Sequence, residues 1–244
     1  VLPPTFSASG FEAEVAELLA QISPTPESDR IVQQLAGAVR QALRKIIPAV
    51  EVVGFARGDL LRGTAYGVAV PEVDIVASAS PQQLAACLQS RAARGAAQLD
   101  ARKLQKAAIR ACTDRLVSGG GFKFRRSAFR GQEPKVTLLA PESLGFHNAA
   151  VPLDFSVNSS TPLHNAALLT ECGQIEPRAK ELILLVKRWA KDRGVCHAAK
   201  GHLPPYAWSL LSIFFLQASE APLLPALEGF RASAALAPPY AWSL

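Results

Sequence analysis

The chain has 244 residues, of which 49% are hydrophobic and 19% charged, enough apolar mass for one large domain or two small ones, which excludes a mainly disordered or collagen-like protein. Its net charge of +6, from 26 Lys+Arg against 20 Asp+Glu, suits a polyanionic partner without requiring one. No segment has the charged, apolar and small-residue parts of a signal peptide and no apolar run approaches the ~20 residues that span a bilayer, so the expectation is a soluble intracellular protein without a membrane partner, in cytoplasm, nucleus or organelle.

The chain begins at Val1 and contains no methionine, which reads as a piece of something longer. In chain order, Phe11, Val15, Leu18, Leu19 and Ile22 share one helical face, and Ser23-Pro24-Thr25-Pro26 breaks that helix. A second helix is expected from Ser28 or Asp29, carrying Ile31, Leu35, Val39, Leu43 and Ile47 toward a core and stopping at Pro48. Val50-Glu51-Val52-Val53-Gly54 reads as a strand running into a glycine turn. A Gly-rich stretch with Gly58, Gly63 and Gly67 leads to a second strand over about 70–77, and Ser80-Pro81 opens a helix through the Ala-rich eighties. A longer helix over about 100–117 has Leu104, Ala108, Cys112 and Leu116 in phase and ends at Gly119-Gly120-Gly121.

Three further strands are predicted at 122–129, 135–139 and 151–157. From Leu163 onward the pattern is helical, with helices around 179–191 and 206–217. Mixed sheet first and helices after predict an α+β chain of two domains. Cys87, Cys112, Cys172 and Cys196 are scattered and read as buried thiols; Cys196, His197 and His202 offer three irregular ligands where a zinc site needs four. Pro-Pro-Tyr-Ala-Trp-Ser-Leu occurs at 204–210 and again at 238–244, too short and too few for a solenoid, so the second copy carries no weight for the fold.

The chemistry-bearing residues are acids inside strands. Glu72 and Asp74 are two apart on a predicted strand, so both leave the same face, and Asp154 sits in Val151-Pro152-Leu153-Asp154-Phe155-Ser156-Val157. A carboxylate in a buried strand is costly unless it is paired, hydrogen-bonded or bound to metal. Three carboxylates on neighbouring strands can hold two Mg²⁺ ions about 3.5–4 Å apart for in-line phosphoryl transfer. On spacing alone, acids that merely line the solvent side of an edge strand are the alternative, and the choice stays open.

The order of features resembles the polymerase-beta-like nucleotidyltransferases, specifically the noncanonical poly(A) polymerases and terminal uridylyltransferases. It runs Val50-Glu51-Val52-Val53-Gly54-Phe55, Gly58, Glu72-Val73-Asp74, then Asp154. Downstream, His164-Asn165-Ala166-Ala167-Leu168-Leu169, Leu182 to Lys191, and Tyr206-Ala207 leading to Phe214-Phe215-Leu216-Gln217 are similar to that family's central-domain signature in order and spacing. The resemblance covers most of 29–220. It implies a nucleotidyltransferase palm, a mixed sheet with helices, over 29–160, followed by a C-terminally truncated helical poly(A)-polymerase-associated domain over 161–244, with 1–28 an N-terminal helical segment packing on the latter.

The same resemblance implies template-independent addition of UMP or AMP from a nucleoside triphosphate, UTP or ATP, to an RNA 3′ end. Glu72, Asp74 and Asp154 are then catalytic and bind Mg²⁺ or Mn²⁺, with Asp154 nearest the attacking hydroxyl. Gly54, Phe55, Asn165, Lys187, Lys191 and Tyr206 bind the nucleotide: the lysines reach the triphosphate, Asn165 the ribose or base, and Tyr206 stacks on the base. Read from the residues alone, Lys180, Lys187 and Lys191 share one helical face, which is also what a solvated lysine face looks like. Lys123-Phe124-Arg125-Arg126 and Arg130 suit RNA phosphates, or equally a charged strand face.

Three departures bear on activity. Glu72 stands where the family has the first Asp, Phe55 where it has Ser after Gly, and Pro205 where it commonly has Ser before Tyr206. The interval from Gly54 to Glu72 is long, and the base-selecting region lies past the matched residues, so UTP and ATP are not distinguished. A catalytically degenerate fold serving as an RNA-binding or scaffold module is therefore the alternative, and nucleotidylation of a small molecule or protein a third reading.

Overall fold

A computed structural model of the chain describes residues 5–56, 73–89, 100–131, 133–145 and 151–230. In chain order its elements are α1 (Phe11–Ile22), α2 (Pro26–Leu43), β1 (Glu51–Ala56), β2 (Val73–Ser78), α3 (Pro81–Gln89), α4 (Ala101–Gly120), β3 (Lys123–Ala128), β4 (Lys135–Leu139), β5 (Pro152–Val157), α5 (Thr161–Ile175), α6 (Pro177–Asp192) and α7 (Pro205–Ala218). The chain divides into two compact units, a sheet unit over 26–57 and 71–164 and a helical unit over 1–25 and 165–234, with smaller pieces outside the described residues.

In the sheet unit, the five strands run in the order β1-β2-β5-β4-β3. β2 and β5 are parallel and every other pair is antiparallel. Apolar residues alternate along the central strands, so Val73, Ile75 and Ala77 of β2 and Leu153, Phe155 and Val157 of β5 are buried on one face. α2 and α4 pack on each other and on the sheet, contributing Val32, Leu35, Val39 and Leu43 from one and Leu104, Ala108, Ile109, Cys112 and Leu116 from the other, all buried. Each buried Val, Leu or Ile among them stabilises the fold by roughly 1.5–3 kcal/mol.

The helix ends follow local chemistry. Asp100 caps α4 by accepting a 2.8 Å hydrogen bond from the Lys103 amide, and Gly121 ends it in the left-handed conformation at φ 73°. Three expectations are corrected. α2 starts at Pro26 rather than at Ser28 or Asp29, since proline fits a first helical turn and Ser28 lies buried inside that turn. It stops at Leu43, and Ile47 reaches the core from a turn in which the Ile46 and Ile47 amides both bond to the Leu43 carbonyl. β1 also runs on through Gly54 to Ala56, paired with β2 along its whole length, so Gly54 opens no turn.

The helical unit is built on a core of Cys172, Ala179, Ile183, Ile213, Leu216 and Leu224. α6 packs on α7, and α1 on α6. Trp189 and Trp208 meet edge to face at 5.5 Å between ring centroids. All four cysteines are buried thiols, as expected. No helix of the described residues is long and apolar enough to cross a membrane.

Candidate active site

The pairing register places one residue from each strand in a single transverse row. Phe55 pairs with Asp74, Asp74 with Asp154, Asp154 with Thr137, and Thr137 with Arg126. Register partners on adjacent strands leave the same face of a sheet, so this row lies on the face opposite Gly54, Ile75, Phe155 and Val136, which form the next row and are turned to α2 and α4. The two aspartates, far apart in sequence, are thus direct neighbours on the parallel central pair.

Asp154 is 4% exposed and well supplied with donors. Thr137 Oγ1 donates to its Oδ1 at 2.7 Å and Lys135 Nζ to its Oδ2 at 2.6 Å. Arg126 Nε donates to Thr137 Oγ1 at 3.2 Å. A guanidinium only donates, so the threonine hydroxyl accepts from it and must send its own proton toward Asp154. Two donors, one of them a cation, make the ionised form of a buried carboxylate tolerable. Lys135 and Thr137 lie two residues apart on one face of β4, with Thr137 opposite Asp154 of β5; sequence reasoning missed both, and a Lys-x-Thr alternation is the signal that marks them.

The ends of the two central strands are tied together. Asn158, just past β5, has φ 48° and is 1% exposed. Its Oδ1 accepts from the Ala79 amide at 3.0 Å, its Nδ2 donates to the Ala79 carbonyl at 2.8 Å, and its own amide donates to the Ala77 carbonyl at 2.8 Å. Gln105 of α4 donates to the Val157 carbonyl at 2.8 Å. Glu133, ahead of β4, accepts from the Ser159 hydroxyl and, at 2.5 Å, from the Thr161 hydroxyl. These contacts fix where β5 stops and α5 begins.

The remaining predicted residues are distributed as follows. Glu72 lies outside the described residues; among those described, no group of three or more His, Cys, Asp and Glu side chains is placed to hold a metal ion. Gly54 sits inside β1 with α2 against it: an added Cβ would meet Val32 Cγ1 at 2.6 Å and Ile75 Cδ1 at 2.7 Å. Phe55 is half-buried beside Asp74. Asn165 is half-buried in the first half of α5, and Tyr206 half-buried in the first turn of α7 behind Pro205, whose ring suits that position.

Lys187 and Lys191 are 7% and 5% exposed, so the solvated lysine face holds for Lys180 alone. Lysines are rarely this buried unless engaged. Lys191 acts on Cys196, whose thiol is pushed up by burial and drawn partly back by that ammonium. Burial, and then Cys172 beside it, raises the Tyr206 phenol. On β3, whose residues are all exposed at the sheet edge, Lys123 pairs with Glu142 at 2.7 Å and Arg126 is engaged with Thr137.

No family model matches the chain. It is similar to terminal uridylyltransferase 7 of Homo sapiens, 31% identical over 105 residues, which make up 43% of this chain and 7% of that protein. It is similar to poly(A) RNA polymerase GLD2-A of Xenopus laevis, 31% identical over 99 residues, 36% of this chain and 19% of that one. Among solved structures, the Cid1 poly(U) polymerase with MgGTP bound shares the fold at a TM-score of 0.63 and 20% identity, over 89% of this chain and 59% of that one. The matched stretches thus span less than two thirds of each relative.

Proposed function

Because the chain is a homologue of the terminal uridylyltransferases and GLD2-type poly(A) polymerases and has the α+β fold of the polymerase-beta-like nucleotidyltransferases, we propose that it carries the catalytic part of an RNA nucleotidyltransferase. It adds UMP or AMP from a nucleoside triphosphate to RNA 3′ ends inside the cell, without a template. The observation that supports this most is the pairing of Asp74 with Asp154 on adjacent parallel strands.

Two carboxylates at neighbouring positions of one sheet face offer the oxygen donors that hard divalent cations take, and the hydrogen bonds on Asp154 favour its carboxylate form, so the residues present fit Mg²⁺ or Mn²⁺. Glu72, two residues before Asp74, is proposed as the third acid. Bound metal would lower the pKa of the attacking hydroxyl and neutralise the triphosphate. The chain's own part is to hold that hydroxyl and accept its proton at Asp154. Asn165, Lys187, Lys191 and Tyr206 are proposed as nucleotide ligands from the helical unit, with the lysine ammoniums on the phosphates and the Tyr206 ring on the base. Residues 29–160 are proposed as the nucleotidyltransferase domain, 161–244 as part of the helical poly(A)-polymerase-associated domain, and 1–28 as its N-terminal segment. RNA is proposed to follow the basic edge strand, where Arg125 is exposed.

A second reading, a degenerate RNA-binding fold, is favoured by Phe55 standing beside Asp74 where a polar phosphate ligand is expected. Incubating the chain with labelled RNA and each ribonucleoside triphosphate in Mg²⁺ or Mn²⁺ separates the two. Extension that disappears in Asp154→Asn supports the enzyme. Bound ATP or UTP with no extension under any condition leaves the degenerate module.

A further inference from the structure

Each oxygen of Asp154 has a donor from β4, and the two donors differ in mobility. Thr137 is 3% exposed and held in turn by Arg126, so Oδ1 is fixed. The Lys135 side chain is 40% exposed on a flexible four-carbon stem, with its ammonium 2.6 Å from Oδ2. Resting on the proposed metal role of this site, we infer that Lys135 is a positioning residue acting as a monovalent stand-in. Its ammonium holds Asp154 in the metal-free protein and leaves Oδ2 when a divalent cation binds.

The argument is electrostatic. Asp74 and Asp154 are register neighbours, and two adjacent carboxylates disfavour each other's ionised form unless a cation lies between or beside them. Without metal, Lys135 supplies that charge. With a divalent cation held by the Asp154 carboxylate, the ammonium would face a like charge at close range, and like charges repel. Its exposed end has water to retreat into, whereas Thr137 stays and keeps the carboxylate aimed. Lys135 thus lowers metal affinity in exchange for a site that is ordered before the metal arrives.

The test is Mn²⁺ alone, titrated into the chain by calorimetry or by the electron paramagnetic resonance of free Mn²⁺, with thermal unfolding recorded in chelator and in Mn²⁺. Lys135→Met is expected to bind Mn²⁺ about tenfold tighter than the parent and to melt lower in chelator, with the gap closing in Mn²⁺. Lys135→Arg, which keeps the charge, is expected to bind no tighter than the parent. A Lys135→Met protein that binds Mn²⁺ equally or more weakly, while the parent binds and Asp154→Asn does not, overturns the role of Lys135 and leaves the metal site standing. Folded parent and Lys135→Met proteins that both lack saturable binding overturn the metal site and this inference with it.

Discussion

Gly54 separates two uses of one residue, a phosphate-binding turn and a packing contact, and Gly54→Ala tells them apart. The new Cβ would lie 2.6 Å from Val32 Cγ1, 2.7 Å from Ile75 Cδ1 and 3.4 Å from the Val32 carbonyl. Ile75 Cδ1 is the far end of a side chain that has room to turn only if its neighbours give, and Ile75 is fully buried. Val32 is β-branched and stiff, on α2. Overpacking of this kind costs about 1–3 kcal/mol, and the smaller unfolded-state entropy of alanine returns about 0.4–1 kcal/mol. The net loss is about 1–2 kcal/mol, which for a chain of this size lowers Tm by roughly 2–8 °C.

Val32→Ala alone removes two buried methyl groups, a loss of about 1.5 kcal/mol, but opens the space that Gly54→Ala needs. The double variant is therefore expected to be at least about 0.5 kcal/mol more stable than the sum of the single losses. Urea denaturation of the four proteins measures that coupling, and nucleotide binding of the folded variants is expected to match the parent. A Gly54→Ala protein as stable as the parent, or two losses that simply add, would refute the packing reading. Unchanged stability with weakened nucleotide binding would restore the phosphate turn.

Other expectations follow from contacts around the same strands and from the helical unit. Asn158→Ala leaves the buried Ala79 amide and carbonyl without their side-chain partners and puts alanine at φ 48°, a conformation it tolerates less well than asparagine or glycine, a loss of about 3–5 kcal/mol in urea denaturation; Asn158→Gly is expected to recover about 1 kcal/mol of it, and equal stability of Asn158→Ala and parent would refute the clamp. Burial, with Glu171 adding to it, pushes the Cys172 thiol up to about 11, so native protein at pH 8 should resist iodoacetamide at Cys172 and unfolded protein should not; labelling at the rate of a free thiol would contradict this. The Arg178 side chain, by hydrogen bond first, holds the Glu176 carboxyl at about 2. A depressed acid stabilises the fold above its unfolded value near 4.5 and loses that contribution as pH falls toward 2, so Glu176→Gln should flatten the acid limb of stability in that window, by a small amount because the Arg178 end of the pair lies largely in solvent.

Much of this was legible in the sequence because it depends on period. The alternation in Leu153-Asp154-Phe155-Ser156-Val157 placed Asp154 on the polar face of a strand, and the apolar stripes of α1, α4, α6 and α7 placed those helices. What could not be read was pairing. Nothing local says that Thr137 of β4 lies opposite Asp154, or that Lys135 reaches it, because register is decided between strands. Gly54 read as a turn because glycine often ends strands; the approach of α2, invisible in sequence, is what excludes a side chain there. The burial of Lys187 and Lys191 was illegible for the converse reason, since lysine on an amphipathic helix is usually solvated and only tertiary context buries it.

The juxtaposition of Asp74 and Asp154 rests on the register of a parallel pair, and that register has little local support. β2 and β5 are joined through α3, α4, β3 and β4, so no hairpin turn sets which residue faces which. A slip of one residue would carry Asp154 to the face packed by α2 and α4 and bring Leu153 or Phe155 out beside Asp74. Burying an acid there and exposing those apolar side chains opposes the slip from one side. Asn158 opposes it from the other: its amide group pairs with both backbone groups of Ala79, and a shifted strand could keep neither bond. The polar clamp beyond the strand ends and the apolar alternation within them therefore select the same register, and it is the one that sets two carboxylates side by side.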